Sequence, residues 1–188
     1  MRILIVDCGS SKVPDIVAIL RKLNVECTSI KWNELKGDEL HYNGVIISGA
    51  PVLLTNTSAD PYIEKIKPLI KISVPVLGIC FGHQILGIIN GAYIAKCSED
   101  RAWQEITIIH PYGLFAGFNN WVMMREDHTE CIDLPHGFRR DAGSEICANE
   151  AMHHEKYPWY GVQFHPESSG EMGEKLFNNF LTICKSWS

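Results

Sequence analysis

The feature of this sequence that most limits its fold is a set of short apolar runs in which polar and apolar residues do not alternate. Such strands are buried on both faces, which is typical of a parallel sheet covered by helices. The runs are Arg2–Asp7, Cys27–Ile30, Gly44–Ser48, Val74–Ile79 and Trp159–Phe164. Apolar residues at helical spacing predict a helix opened by Pro14, one opened by Pro61, and the helices Phe81–Ile89 and Glu171–Lys185. The alternation predicts an α/β fold with a mostly parallel central sheet flanked by helices.

The stretch from about residue 92 to about residue 150 has a different pattern. Its strand-like pieces are short and are interrupted by Pro, Gly and Asn; they are Ile106–Ile109, Trp121–Met124 and Ile146–Ala148. They predict a small antiparallel extension of the sheet. Because the chain has 188 residues and no internal repeat, we expect one domain over residues 1–188.

Charge and hydropathy exclude several classes of protein. The formal net charge is −5 and the Lys and Arg residues are scattered, so no nucleic-acid partner is expected. No apolar stretch approaches the roughly 18 residues that suggest a membrane span, and the apolar run at the N-terminus is too short for a secretory signal. We therefore expect a cytoplasmic protein without a membrane partner.

The chain has seven cysteines, and no two of them have CxxC spacing. This spacing argues against a structural zinc site or a redox dithiol, so no metal is expected. Most of the cysteines would be small buried apolar residues in a reducing cytosol. Cys80 differs, because it stands between two glycines where a strand is predicted to meet a helix.

The segment GICFGHQ, residues 78–84, has the form of the Gly-x-Ser-x-Gly nucleophile elbow, with sulfur in place of oxygen. The nucleophile of such a turn is strained between strand and helix, and Gly78 and Gly82 allow the turn to be tight. The Cys80 side chain would project above the carboxyl edge of the sheet, at a helix N-terminus that favours the thiolate. Taken alone, the motif is equally compatible with a buried structural cysteine.

A base for this thiol is offered by the segment WYGVQFHPE, residues 159–167. His165 ends an apolar strand and Glu167 follows two residues later, so both side chains point the same way in an extended chain. Glu167 would hold one ring nitrogen of His165 while the other faces Cys80, which is the arrangement that acyl transfer needs. Taken alone, His-Pro-Glu is more often a simple turn.

The loop Ser48-Gly49-Ala50-Pro51 follows another predicted strand. A loop of small residues at the carboxyl end of a strand can direct backbone N–H groups into a site, where they stabilise the oxyanion of a tetrahedral intermediate. The alternative is a plain turn that ends the strand.

Together these segments resemble the class I, triad-type glutamine amidotransferases, and the resemblance extends over essentially the whole chain. It rests on ILIVD, VIISGAP, GICFGHQ and GVQFHPE, the last followed by a Gly-x-x-Leu-x-x-Asn-Phe pattern. GICFGHQ and GVQFHPE together are highly specific. The resemblance implies a flavodoxin-like class I glutaminase fold. It also implies hydrolysis of the side-chain amide of L-glutamine to glutamate and ammonia, without a cofactor.

The resemblance also implies a role for each matching residue. Cys80 would attack the amide carbon and form a γ-glutamyl thioester, His165 would move the protons, and Glu167 would orient His165. The backbone N–H groups of Ala50 and Phe81 would form the oxyanion hole. The residues implied in substrate binding are Gly49, Gly82 and Gln84.

The chain departs from the family pattern in two places. The usual Gly-Gly-Pro loop has Ala50 in place of its second glycine, and alanine disfavours the positive φ angles open to glycine. The family also carries a serine–histidine or similar pair in the middle of the chain, where this chain has VMMREDH, residues 122–128. Asp127 and His128 would lie near the site without an assigned role. Both departures concern substrate preference rather than the triad.

Two further segments narrow the resemblance. LPHGF at residues 134–138 and EICANEAMHH at residues 145–154 are similar to the glutaminase part of GMP synthetase. The ending HPES is also similar to the glutaminase subunits of anthranilate and aminobenzoate synthases. Because the sequence ends just after its closing helix, a separate ATP-dependent synthetase is expected to receive the ammonia.

Two other interpretations stay open. One is a stand-alone γ-glutamyl hydrolase or peptidase-like enzyme that uses the same triad on γ-glutamyl conjugates. The other is a catalytically silent regulatory subunit that keeps only the fold. The presence of Cys80, His165 and Glu167 together makes the silent subunit the less favoured of the two.

Overall fold

The structure, a computed structural model, describes residues 1–37, 41–70 and 74–187. The strands are β1 (Arg2–Asp7), β2 (Glu26–Lys31), β3 (Gly44–Ile47), β4 (Val76–Ile79), β5 (Ile94–Asp100), β6 (Trp103–Ile108), β7 (Trp121–Arg125), β8 (His128–Ile132), β9 (Phe138–Gly143), β10 (Ala151–His154) and β11 (Trp159–Val162). The α-helices are α1 (Val13–Lys22), α2 (Asp60–Ile70), α3 (Phe81–Ile89) and α4 (Gly170–Trp187). Short 3₁₀ turns lie at Trp32–Glu34, Gly113–Phe115 and Pro166–Ser168.

Most of the strands in the described residues form one sheet, in the order β2-β1-β3-β4-β11-β10-β9-β6-β7. All neighbours from β2 to β11 are parallel, and the neighbours from β11 to β7 are antiparallel. Strands β5 and β8 pair as a separate antiparallel ribbon. The parallel half agrees with the sequence prediction, and the antiparallel part is larger than the small extension predicted.

The predicted strand Ile146–Ala148 is wrong, because this segment is a turn between β9 and β10. The hydroxyl oxygen of Ser144 accepts hydrogen bonds from the backbone N–H groups of Ile146 and Cys147. The Ser144 N–H in turn donates to the carbonyl of Cys147, 2.9 Å away. These local bonds give the backbone an alternative to pairing in a sheet.

The two faces of the sheet are covered by different helices, which explains the unbroken apolar runs. Alternate residues of β1 belong to different clusters: Ile3 and Ile5 pack with α1 and α4, whereas Leu4 and Val6 pack with α2 and α3. Every residue of β3 and β4 is buried. No helix in the described part of the chain is both long and apolar enough to cross a membrane.

The carboxyl ends of the parallel strands meet at one edge of the sheet. Ile47 at the end of β3 pairs with Gly78, and Ile79 at the end of β4 pairs with Val162 of β11. The Cys80 N–H donates to the Val162 carbonyl at 2.8 Å, so the turn after β4 lies directly beside the end of β11. The open edge of such a sheet is where α/β proteins place their ligands.

Helix α3 lies so close to β3 that a Cβ atom at residue 82 would overlap the backbone carbonyl of Ile47. Alanine normally stabilises a helix interior by up to about 1 kcal/mol relative to glycine. We nevertheless expect Gly82→Ala to lower the free energy of unfolding by about 1–3 kcal/mol, because backbone of a central strand cannot move aside cheaply. Urea denaturation followed by circular dichroism measures the change.

Gly87→Ala in the same helix is the matched control. A Cβ atom at residue 87 would also overlap a neighbour, but that neighbour is the terminal methyl group of Ile132, which can rotate away. We expect the loss in Gly87→Ala to stay below about 1 kcal/mol. Equal losses in the two variants would contradict the close approach of α3 to β3.

Candidate active site

Cys80 occupies a strained turn between β4 and α3. Its backbone has φ 49° and ψ −106°, a combination that non-glycine residues rarely adopt. A Cβ atom at Gly78 would overlap the backbone of Gly82, so both glycines are needed for the chain to turn this sharply. The cysteine is the N-cap of α3 and is 8% exposed. This geometry is the predicted nucleophile elbow, and strain of this kind is concentrated at functional sites.

His165 and Glu167 lie in the segment that follows β11. The Nδ1 atom of His165 is 2.6 Å from Oε1 of Glu167, and both side chains are almost completely buried. The backbone around the histidine is fixed from β7 and α4: the His165 N–H donates to the Arg125 carbonyl at 2.8 Å. The Ser169 hydroxyl donates to the His165 carbonyl, and the Arg125 N–H donates to that hydroxyl oxygen. The imidazole therefore has a defined orientation.

The ionisation of His165 depends on its two neighbours. Burial by itself disfavours the imidazolium, but the charge and hydrogen bond of Cys80, together with those of Glu167, raise the pKa of His165 to about 10. At neutral pH the imidazole is thus protonated, between the Cys80 sulfur and the Glu167 carboxylate. A protonated histidine beside a cysteine is the environment that stabilises a nucleophilic thiolate.

A cavity of about 590 Å³ opens above Cys80, within the usual size range of small-molecule sites. It is lined by residues 9–12, 50–53, 80, 81, 84, 99, 101, 127–130 and 165. Phe81 is the first residue of α3, so its N–H has no acceptor within the helix. Ala50 does not have a positive φ, so the alanine is compatible with the conformation of this loop. Both predicted oxyanion donors therefore border the cavity, while the aim of their N–H groups stays a prediction.

Comparison with known proteins agrees with this site. The family described as Glutamine amidotransferase class-I matches residues 4–184. The chain belongs to the class I glutamine amidotransferase family. This finding confirms the family, the enzyme class and the α/β fold class predicted from the sequence.

Individual relatives of this amidotransferase cover nearly the whole chain. The glutamine-hydrolyzing subunit of GMP synthase from Pyrococcus furiosus is 36% identical, covering 97% of this chain and 98% of its own length. The corresponding protein of Archaeoglobus fulgidus is 35% identical, covering 88% of this chain and 89% of its own. A solved structure assigned to the same subunit in Thermoplasma acidophilum has a TM-score of 0.88 at 28% identity and covers 100% of this chain and 95% of its own.

The three predicted substrate-binding residues of the amidotransferase have different positions. Gln84 borders the cavity, and its Nε2 atom donates to the Glu130 carbonyl at 3.1 Å and to Gln163 Oε1 at 3.2 Å. Contact between Gln84 and a substrate would therefore come from its carbonyl oxygen. Gly49 lies against the His165 ring, and Gly82 packs on β3. Neither glycine borders the cavity, so their structural reason is close packing.

Several residues at the site were not identified from the sequence. The Nε2 atom of Gln163 is 3.5 Å from the Cys80 sulfur, and the backbone carbonyl of Asp127 is 3.9 Å from it. The motif GVQFHPE contains Gln163 and was the only available signal for it. At the cavity rim the Asp127 carboxylate contacts Lys12 at 2.6 Å and Arg101 at 3.6 Å. Burial opposes ionisation of Asp127, but the hydrogen bond from Lys12 lowers its pKa.

Proposed function

We propose that Cys80, His165 and Glu167 hydrolyse the side-chain amide of L-glutamine to glutamate and ammonia through a γ-glutamyl thioester. The observation that carries this proposal is the buried 2.6 Å contact between His165 and Glu167 beside a cysteine on a strained elbow. Membership of the class I family supports it. A cysteine that had only a packing role would need neither the positive φ nor the oriented imidazole.

The steps follow from the positions of these groups. The Cys80 thiolate attacks the amide carbon, and the negative charge on the carbonyl oxygen is held by the N–H groups of Ala50 and Phe81. The His165 imidazolium gives its proton to the amide nitrogen, the C–N bond breaks, and ammonia leaves with the thioester in place. The neutral imidazole then takes a proton from water, hydroxide attacks the thioester, and glutamate leaves as the thiolate and imidazolium reform.

The charged rim of the cavity supports an amino-acid substrate. Lys12 and Arg101 are suited to the α-carboxylate of glutamine, and Glu99 and Asp127 are suited to its α-ammonium group. All four residues border the cavity, and they already pair with one another. A substrate that carries both charges would replace those contacts with its own, so exchange of partners costs little charge desolvation.

We propose further that the ammonia passes to a separate synthetase and that this chain is the glutaminase subunit of a GMP synthase. The support is the whole-length similarity to archaeal proteins named as glutamine-hydrolyzing subunits of GMP synthase. The synthetase would be ATP-dependent, because an amination by ammonia needs an activated acceptor. A cytoplasmic location follows from the same proposal.

A γ-glutamyl hydrolase is the second candidate, and one observation favours keeping it. Residues 127–130, which form a wall of the cavity, carry Asp127 and His128 where the family has a serine–histidine pair. This wall therefore has its own chemistry, which bears on what is attached to the γ-glutamyl group. The triad would act on an amide or a peptide bond in the same way.

Ammonia release from L-glutamine by the isolated chain tests the proposed reaction, with γ-glutamyl peptides and L-asparagine as parallel substrates. We expect release from glutamine in preference to asparagine, and a mass increase of the enzyme matching a γ-glutamyl group on rapid quenching. Adding the synthetase component of a GMP synthase with its ATP and nucleotide substrates is expected to raise the rate. Cleavage of only the γ-glutamyl peptides would assign the hydrolase function instead, and no turnover of any substrate under these conditions would contradict both.

A further inference from the structure

A second cluster of reactive side chains lies on the β5–β8 ribbon, behind the wall of the active-site cavity. The sulfur atoms of Cys97 and Cys131 are 2.8 Å apart. The Nδ1 atom of His128 is 3.6 Å from the Cys97 sulfur and 3.9 Å from the Cys131 sulfur. Three potential ligand atoms thus converge from two strands, although the linear sequence has no CxxC spacing to announce them.

The other ring nitrogen of His128 faces a carboxylate. Its Nε2 atom is 3.3 Å from Oε2 of Glu126, and both side chains are almost fully buried. Within the described residues neither carboxylate oxygen of Glu126 has a hydrogen-bond partner. A histidine that binds a metal through one nitrogen usually gives its other N–H to a carboxylate, which fixes the tautomer and the ring. Glu126 is in the position of that carboxylate.

We propose that Cys97, Cys131 and His128 bind one zinc ion. Two thiolates and an imidazole are ligands that zinc prefers, with bonds of about 2.3 Å to sulfur and about 2.0 Å to nitrogen. A tetrahedral ion with these bonds separates sulfur from nitrogen by about 3.5 Å and sulfur from sulfur by about 3.7 Å. The observed sulfur–nitrogen distances of 3.6 and 3.9 Å are close to the first value. The two sulfurs would move apart by about 1 Å, within reach of side-chain rotation.

The fourth position of the zinc ion falls to Cys147 or to water. The buried Cys147 thiol forms a hydrogen bond with Cys131, so this side chain adjoins the cluster from the core. Cys97 and Cys131 are themselves partly exposed, which gives the ion a route from solvent. Both arrangements leave the same three ligands in place.

A zinc ion here would hold the ribbon that forms one wall of the amidotransferase cavity. His128 and the two residues after it border the cavity directly. The Glu130 carboxylate accepts the backbone N–H groups of Leu54 and Thr55, each at 2.9 Å, and so ties the ribbon to the loop after Ala50. Joining β5 to β8 through a metal would therefore fix the position of groups on both sides of the substrate cavity.

Cobalt substitution tests this proposal without relying on catalysis. The reduced chain is freed of metal with a chelator and titrated with Co²⁺. We expect thiolate-to-cobalt charge-transfer absorption and the intense visible bands of tetrahedral cobalt, saturating at one ion per chain and displaced by one equivalent of Zn²⁺. The charge-transfer intensity counts two or three thiolates and so identifies the fourth ligand.

Variants locate the site. Cys97→Ala and Cys131→Ala are each expected to lose most of the charge-transfer absorption. Cys27→Ala is the matched control, since Cys27 is also a partly exposed strand cysteine and lies at the opposite edge of the sheet. Glu126→Gln is expected to keep the bands but to weaken zinc affinity by about 10- to 100-fold. Circular dichroism establishes that each variant is folded.

Three results would overturn the zinc site. The first is a folded, reduced chain that shows no thiolate charge transfer with Co²⁺. The second is a Cys131→Ala variant that binds Co²⁺ as the wild type does; an ion held by the carboxylates of Glu126 and Glu150 would give this result. The third is a chain that, purified with reductant, still carries a Cys97–Cys131 disulfide, recognised by an intact mass two hydrogens too low.

Discussion

Replacement of Cys80 by alanine is expected to lower kcat for glutamine hydrolysis by on the order of 10⁴-fold or more. The reason is that the proposed pathway runs through a covalent thioester, which the variant cannot form. Water would have to attack the amide directly, and the remaining groups act as a unit that depends on the nucleophile. Ammonia release with a sensitive coupled assay measures the loss, and a rapid-quench mass spectrum shows whether the thioester is absent.

The same variant also tests whether Cys80 shapes the turn. Its backbone has a positive φ, and alanine, like cysteine, pays for that angle, so the free energy of unfolding should change little. Cys27→Ala is the control for removing a thiol elsewhere and is expected to keep wild-type kcat. Activity of Cys80→Ala within tenfold of wild type would remove Cys80 from the mechanism.

The sequence predicted the parallel half of the fold because burial on two faces leaves a strong pattern. Runs such as those of β1, β3 and β4 admit almost no polar residue, and the helices between them have one apolar face. Once that half is parallel, the ends of β4 and β11 are neighbours, and Cys80 and His165 are brought together by topology. The triad was therefore predictable from two short motifs and the order of the strands.

The antiparallel half was predicted poorly for the opposite reason. Strand β5, with the burial pattern of an exposed ribbon, and strand β8 carry polar residues on both sides, so their periodicity is weak. Turn bonds at Ser144 overrode the apolar character of Ile146. Pairing partners distant in sequence decide such strands, and a window of single-sequence pattern contains no information on them.

The remaining parts of the site come from this same half and from loops. Arg101 and Asp127 reach the cavity rim from segments next to β5 and β8, and Lys12 reaches it from the loop after β1. Their side chains have no motif, because an ion pair requires only that two charges meet in space. The cysteine–histidine cluster was missed likewise, since its members are joined by the pairing of β5 with β8 and not by spacing along the chain.

The strength of the charge at His165 makes the pH profile informative. In the folded protein its pKa is raised to about 10, above the ordinary value of about 6.5. The stabilisation that accompanies this shift is fully present below about pH 6.5 and is lost as the pH rises through the folded pKa. We therefore attribute the basic limb of the activity profile to loss of the imidazolium that protonates departing ammonia.

Glu167→Gln is expected to lower kcat by on the order of 10²-fold and to move this basic limb to lower pH. The glutamine side chain is isosteric and can still accept a hydrogen bond from His165 Nδ1, so the ring should keep its place. The negative charge is lost, however, and with it one of the causes that raise the pKa of His165. Profiles of kcat and kcat/KM against pH measure both effects, and the KM for glutamine should change little because Glu167 does not border the cavity.

The control is Glu171→Gln, which removes a carboxylate from the exposed first turn of α4 only four residues away. It is expected to leave both kcat and the basic limb unchanged, since water screens a charge at that position. A Glu167→Gln variant with lower kcat and an unmoved limb would mean that the carboxylate only positions the ring. A variant with wild-type kcat would mean that Cys80 and His165 suffice, and the protonated state of His165 would then depend on the thiolate alone.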